Sequence, residues 1–204
     1  MRKEVLLLMS ILVFSCKNQE ETLKNDDSSR EAKGLQEIVI EKNLEGQTIY
    51  QYQVVDINGK IFDFSKLRGK KIIIVNTATD CGFTDQLELL QEMYAKYQEE
   101  GLEIVAFPSN DFGNSEPLEN AGIKTFCKTK YGVTFPIMGK MSLKGNNKNS
   151  VYQFLMNKKK NGLKDNVLHW NFQKYLINEN GYVDQVLGPH IPPDSPAVLE
   201  WIKS

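Results

Sequence analysis

Two hydrophobic periods alternate along most of the chain. Residues 72–75 are four β-branched residues in succession, the mark of a strand buried on both faces. Leu87, Leu90, Met93 (or Tyr94) and Tyr97 follow at helical spacing, and Glu99, Glu100 and Gly101 end that helix. Residues 102–107 form a second buried run that Pro108 stops. A polar, Asn- and Gly-rich loop over 109–117 comes next, then a helix from about 118 to 129 carrying Ile123, Phe126 and Cys127. Residues 131–139 are irregular around Phe135-Pro136, and 150–156 read as a helix with Val151, Phe154 and Leu155 on one face.

Hairpins bracket these elements. A weakly alternating run over 50–55 leads into Asn58-Gly59, the strongest short hairpin signal, with Ile61, Phe62 and Phe64 as the return. A single turn over 65–69 delivers the chain to the first buried strand. Near the end, 175–177 and 182–187 flank a second turn around Gly181, and 195–202 closes as a helix. Strand, helix, strand, helix, hairpin and final helix predict an α/β protein with a central mixed sheet and helices on both faces. That is the thioredoxin-like fold with an added N-terminal β-hairpin. There is no internal repeat or heptad.

The amino terminus has a different character. Arg2 and Lys3 precede an apolar run over 5–14, too short to span a bilayer, and then Ser15 and Cys16. This resembles the signal and lipobox of bacterial lipoproteins, in which cleavage before the cysteine accompanies its lipidation, although Phe14 stands where smaller residues are commoner. A plain signal peptide or a cytosolic protein with an apolar start are the alternatives. Residues 17–33 contain no aromatic residue and little to bury, so 16–43 read as a lipidated cysteine and disordered tether with a reach of ~20 to 25 Å. The expected organisation is thus a signal peptide over 1–15, the tether over 16–43 and a single domain over 44–204, anchored to a membrane in the cell envelope.

Composition excludes more than it assigns. A net charge of -1 over 204 residues gives no reason to expect nucleic acid as a partner. Only Lys158, Lys159 and Lys160 cluster, and they fit a helix end or a solvated face. Three cysteines and two histidines, with no paired ligand spacing, argue against a metal site.

Chemistry concentrates at Cys81. It lies between a buried strand and a helix, where backbone N–H groups and helix polarity favour the thiolate, the reactive form. A buried cysteine that merely packs is the bland alternative, against which Thr79, Asp80 and Gly82 supply polar or minimal neighbours. Thr84 stands three positions on, so an adjacent redox dithiol is excluded. Cys127 lies 46 residues downstream on another predicted helix, and a static disulfide between the two is a second possibility.

The segments NTATDCGFT (76–84), FPSNDFGNSEP (107–117), FCKTKYGVTFPIM (126–138) and WNFQKYLI (170–177) resemble, in order, the signature blocks of the glutathione peroxidase family. The resemblance covers about 50–201 and implies a thiol peroxidase that reduces hydrogen peroxide and organic or lipid hydroperoxides in the response to oxidative stress. It places Cys81 at the peroxidatic position, Trp170 and Asn171 where an indole N–H and an amide polarise sulfur and peroxide, and Cys127 at the resolving position. It implies no cofactor, a thioredoxin-like or small-thiol reductant, and a monomer, since no long insertion separates Met138 from Trp170. Asp111 departs from the pattern, standing where the family usually has glutamine. It is expected to be protonated and donate, to point away from the sulfur, or to weaken activity. Ser109, Asp80 and Asp85 are further departures. A redox sensor or a thiol–disulfide oxidoreductase on the same fold are the competing readings.

Overall fold

The computed structural model describes residues 47–204. The predicted signal peptide, Cys16 and the tether lie outside the described residues.

The chain enters through a short 3-10 turn, Ile49–Gln51, and then forms the hairpin β1 (Gln53–Val55) and β2 (Ile61–Asp63). Asp56 shapes its turn: Oδ1 accepts the N–H groups of Asn58 and Lys60 at 2.9 and 2.8 Å, and Gly59 takes a φ of 78°. The sequence reads residue 50 as strand, but the strand begins three residues later. Tyr50 is instead fastened elsewhere. Its ring packs on Gly181, where a Cβ would come within 2.6 Å of the Tyr50 Cε2, and its hydroxyl donates to the Glu179 carbonyl at 2.6 Å. Ile49 N–H donates to the Gly181 carbonyl at 3.0 Å.

The main sheet contains β3 (Lys71–Thr77), β4 (Leu102–Pro108), β5 (Lys174–Ile177) and β6 (Val183–Leu187) in the order β4-β3-β5-β6. β3 and β4 are parallel, whereas β5 runs antiparallel to both β3 and β6. The helices are α1 (Gln86–Tyr97), α2 (Asn120–Tyr131), α3 (Ser150–Met156), the single turn α4 (Lys158–Asn161) and α5 (Pro196–Lys203).

β3 is buried throughout because both of its faces are covered. Ile72 and Ile74 join Val105, Phe107 and Tyr175 against Val151, Tyr152, Phe154 and Leu155 of α3. Ile73 and Val75 point the other way, into a core with Leu87, Leu90 and Met93 of α1, Ile123 and Cys127 of α2, and Val198 and Trp201 of α5. One helix therefore covers one face and three cover the other. Each fully buried aliphatic side chain here contributes roughly 1.5–3 kcal/mol. This is the thioredoxin-like plan, with the hairpin as a separate two-stranded sheet.

Topology gives the sheet two distinct ends. Residues that follow β3 and β4, and those that precede the antiparallel β5, gather at one end; this is where an open α/β sheet offers its crevice. At the other end Lys71 donates to the carbonyl of Trp201 at 2.6 Å, tying α5 down, close to Glu179 at 3.5 Å.

Candidate active site

Cys81 follows β3 on a turn stitched by Thr84. Cys81 N–H donates to Thr84 Oγ1 at 3.1 Å, and Thr84 N–H donates back to the Cys81 carbonyl at 3.0 Å. The hydroxyl has the Cys81 and Ala78 carbonyls at 2.7 and 3.0 Å as acceptors. The residue that excludes a second nearby cysteine is thus what shapes the turn. Thr84 is buried, while Cys81 is half-buried and its thiol is free.

The helix itself starts at Gln86, five residues beyond Cys81, rather than at the cysteine. Between them the N–H groups of Thr84, Gln86, Leu87 and Glu88 already donate to carbonyls three residues back. Among the described residues, Gly82, Phe83 and Asp85 are left with N–H groups lacking a backbone acceptor. Because helix polarity fades within the first turn, its pull on Cys81 is weaker than the strand-to-helix pattern predicts.

Two further loops meet at this end of the sheet. Phe112 lies fully buried in the 109–117 loop, and Gly113 lies against the Trp170 indole; a Cβ on Gly113 would come within 2.9 Å of Cη2, and its φ is 68°. Asn171, with no exposed surface, donates from Nδ2 to the Phe112 carbonyl at 3.3 Å, and its Oδ1 has no partner among the described residues. Trp170 is 41% exposed, so its ring forms part of the surface of the site instead of the core.

Asn76, at the end of β3, fixes the Trp170–Asn171 turn. Its Nδ2 donates to the Trp170 carbonyl at 3.0 Å, its Oδ1 accepts Gln173 N–H at 3.1 Å, and its own carbonyl accepts Phe172 N–H at 2.6 Å. This holds Phe172 at a φ of 66°, costly for a side chain other than glycine, and burial of the Phe172 ring offsets the strain. The strand that leads to Cys81 and the turn that carries the indole are therefore one assembly.

Glu116 ties the Cys81 turn to the 109–117 loop. It is fully buried, and it accepts from Thr79 N–H at 3.0 Å and from the Thr79 hydroxyl at 2.6 Å. Asp80 N–H donates to the Ser115 carbonyl at 2.9 Å, while the Asp80 side chain is exposed. Burial pushes the Glu116 carboxyl above its ordinary value, against the lowering effect of these hydrogen bonds and of Lys140.

Asp111 turns to a different partner. Its Oδ2 accepts from Leu143 N–H, Lys144 N–H and the Ser142 hydroxyl at 2.5, 2.9 and 3.0 Å. The carboxylate thereby braces the 142–144 segment, and Lys144 in turn sits 4.1 Å above the Phe112 ring. Of the three outcomes open for Asp111, this geometry favours a carboxylate committed away from the sulfur.

Cys127 lies inside α2, buried in the core cluster that Cys81 packs against. Burial, then the charge of Glu116, pushes its thiol up to about 12. Its carbonyl accepts the N–H of Val133 at 3.1 Å beside the left-handed Gly132, so the thiol stands at the last turn before the helix cap. The Tyr131 hydroxyl donates to Asp85 at 2.7 Å, and Thr134 meets Gln91 at 2.8 Å, pinning that end to α1.

Buried Lys174, beyond Asn171 on β5, is a polar member that sequence reasoning missed. Burial pushes its ammonium down to about 7, while Gln86 Oε1 and the Pro189 and Ile191 carbonyls accept its hydrogens. Asn76 and Glu116 were also missed; both stand inside quoted motifs, but only their partners across the fold reveal what they do. His169 and His190 are exposed.

The glutathione peroxidase family model matches residues 49–156, which hold the Cys81 turn, the 109–117 loop and Cys127. The chain belongs to the glutathione peroxidase family. It is 43% identical over 153 residues to the glutathione peroxidase homolog BsaA of Bacillus subtilis, covering 75% of this chain and 94% of that protein. It is also 43% identical to the glutathione peroxidase-like peroxiredoxin 2 of Saccharomyces cerevisiae, over 72% of this chain and 91% of that one. Among solved structures, Trgpx in its apo form superposes with a TM-score of 0.61 at 29% identity, covering 78% of this chain and 97% of that chain. The chain is accordingly an oxidoreductase of the peroxidase type, consistent with cysteine-based reduction of hydroperoxides.

Proposed function

We propose that the protein reduces hydrogen peroxide and organic or lipid hydroperoxides through a two-cysteine cycle. The observation that carries this reading is the contrast of a half-exposed thiol on the Cys81 turn with a buried thiol, Cys127, in the core beneath it. Cys81 thiolate attacks one peroxide oxygen; the O–O bond breaks, the other oxygen leaves as water or alcohol, and Cys81 becomes a sulfenic acid. Trp170 and Asn171 orient the peroxide, supported by the Asn76 clamp and by the unpaired Oδ1 of Asn171.

Cys127 then attacks the sulfenic sulfur, the disulfide forms, and water departs with the thiol proton and the sulfenic hydroxyl. Two sulfurs must come to about 2.05 Å, so the last turn of α2 unwinds, releasing the contacts of Tyr131 and Thr134. A thioredoxin-like protein or a small thiol reopens the bond. A half-exposed indole with no long insertion before it suits a monomer with an open site. Lipidation at Cys16 would hold the enzyme on the cell envelope, near lipid hydroperoxides.

Mass measurement after stoichiometric hydrogen peroxide tests the cycle. The expected result is a loss of two hydrogens located to Cys81 and Cys127; stable sulfinic acid at Cys81 with Cys127 free would overturn the resolving role. Membrane fractionation of the full chain against Cys16→Ser tests the anchor, with loss of the membrane pool expected.

A further inference from the structure

We propose that Glu116 is a positioning residue that fastens the Cys81 turn to the segment leading into α2 and so sets how fast the Cys81 sulfenic acid passes to Cys127. The inference rests on the resolving role of Cys127 proposed above. Glu116 is fully buried. Both of its oxygens are used on Thr79, two residues before Cys81, and Oε1 also accepts Leu118 N–H at 3.4 Å, just ahead of α2. Its own N–H donates to Asn110 Oδ1 at 3.0 Å. One carboxylate therefore bridges the peroxidatic turn, the 109–117 loop and the approach to the resolving helix.

A buried carboxylate is expensive even when hydrogen-bonded, and a neutral side chain could fill the same space. The cation that partly compensates is Lys140, yet Lys140 makes its close contacts with Glu119 Oε1 and the Leu118 carbonyl, both at 3.0 Å. Besides Lys140, the titratable group that the Glu116 charge acts on is Cys127 on α2; Asp111 is engaged by 142–144 and the Asp80 side chain is exposed. Burial keeps the Cys127 thiol protonated, and the negative charge of Glu116 adds to that effect. Grip and charge act together: while Glu116 holds Thr79, the Cys81 turn stays in place and Cys127 stays unreactive. Disulfide formation needs the turn to shift and the thiol proton to leave, and both weaken the hold. The thiol proton and the sulfenic hydroxyl leave as water, so no further oxidant is required.

Two variants of the full chain separate grip from charge. Glu116→Gln removes the charge and replaces one acceptor oxygen by a donor; Thr79→Val removes one of the two gripping hydrogen bonds and keeps the charge. After rapid mixing with hydrogen peroxide, sulfenic acid is followed by dimedone trapping and disulfide by mass, across pH. Glu116→Gln is expected to speed the disulfide step relative to wild type by about threefold or more and to move its pH profile downward. Thr79→Val is expected to speed that step without moving the profile. A bracing role confined to stability would lower Tm and leave the profile where it is. An unshifted profile in folded Glu116→Gln, or an unchanged disulfide rate in Thr79→Val, overturns the proposal. If Glu116→Gln does not fold, the Thr79→Val rate alone decides. Wild type forming no Cys81–Cys127 disulfide defeats the resolving role, and this inference with it, and that outcome is read before either variant.

Discussion

Cys81 and Cys127 belong to one hydrophobic cluster yet have opposite surroundings. Cys81 sits on a turn held by one threonine, half open to solvent, with backbone N–H groups of Gly82 and Phe83 close in sequence. Cys127 sits in a regular helix, almost without exposed surface, next to a buried carboxylate. Reactivity toward peroxide needs access and a stabilised anion; protection from peroxide needs the reverse. The fold places one thiol within reach of solvent and encloses the other within a single core, and the difference lies in backbone context rather than in the residue type.

The sharpest way to break this contrast is to remove each thiol. Cys81→Ser should lower peroxide consumption about 10³-fold or more with little change in Tm, as measured by a peroxide-consumption assay beside thermal unfolding. Cys127→Ser should still consume one equivalent of peroxide but fail to cycle with a thioredoxin-like reductant. A mutant that cycles normally would erase the distinction.

A smaller effect comes from loosening the support under Trp170. Asn76→Ala leaves the Trp170 carbonyl and Gln173 N–H without their partner. It should cost about 2–4 kcal/mol in denaturant unfolding. Peroxide reduction should slow as well, because the indole turn would no longer be tied to the nucleophile strand.

Proton linkage sharpens the comparison further. The Cys127 thiol is raised from 9.0 to about 12, so the folded chain keeps a proton that the unfolded chain loses. The stabilisation is full below pH 9 and declines as pH rises from 9 toward 12; Cys127→Ala should flatten that decline. At pH 8 iodoacetamide should label Cys81 and spare Cys127. Lys174 works in the opposite sense, lowered from 10.5 to about 7. Its contribution is full above pH 10.5 and is lost as pH falls to 7, a slope that Lys174→Met should remove in urea titrations.

The smallest expected effect belongs to Asp111. With its carboxylate committed to 142–144, Asp111→Gln should leave the pH dependence of Cys81 alkylation unchanged while lowering stability by about 1–2 kcal/mol. A clear shift in that profile would put the charge back beside the sulfur.

What could be read from the sequence followed local pattern. Ile72 to Val75 announced a strand covered on both faces, Asn58-Gly59 a hairpin, and residues 150–156 a helix with those bounds. The Cys81 turn and the Trp170–Asn171 turn stood out as candidates because their motifs are contiguous, and both meet at one end of the sheet. Asn76, Glu116 and Lys174 were not, since each is a polar residue buried by partners far away in sequence, and no periodicity marks such a pairing. The start of α2 shows the same limit on a small scale. Leu118 was read as helical, but its N–H is taken by Glu116, and the helix begins at Asn120. Asp111 could be seen as a departure from the family, but its partners lie more than thirty residues on.

The fastening of Ile49 and Tyr50 to the β5–β6 turn has a mechanical meaning. The hydrogen bonds to Gly181 and Glu179 lie beyond the far end of β5 from Trp170, four strand residues away, or roughly 13 Å. Traction on the chain ahead of Gln47 would load those bonds first, and the tightly fitted Gly181 gives the Tyr50 ring a fixed seat against which to resist. Strain entering from that direction would be absorbed at the opposite pole of the sheet, so the end that carries Cys81 and Trp170 would keep its geometry under tension.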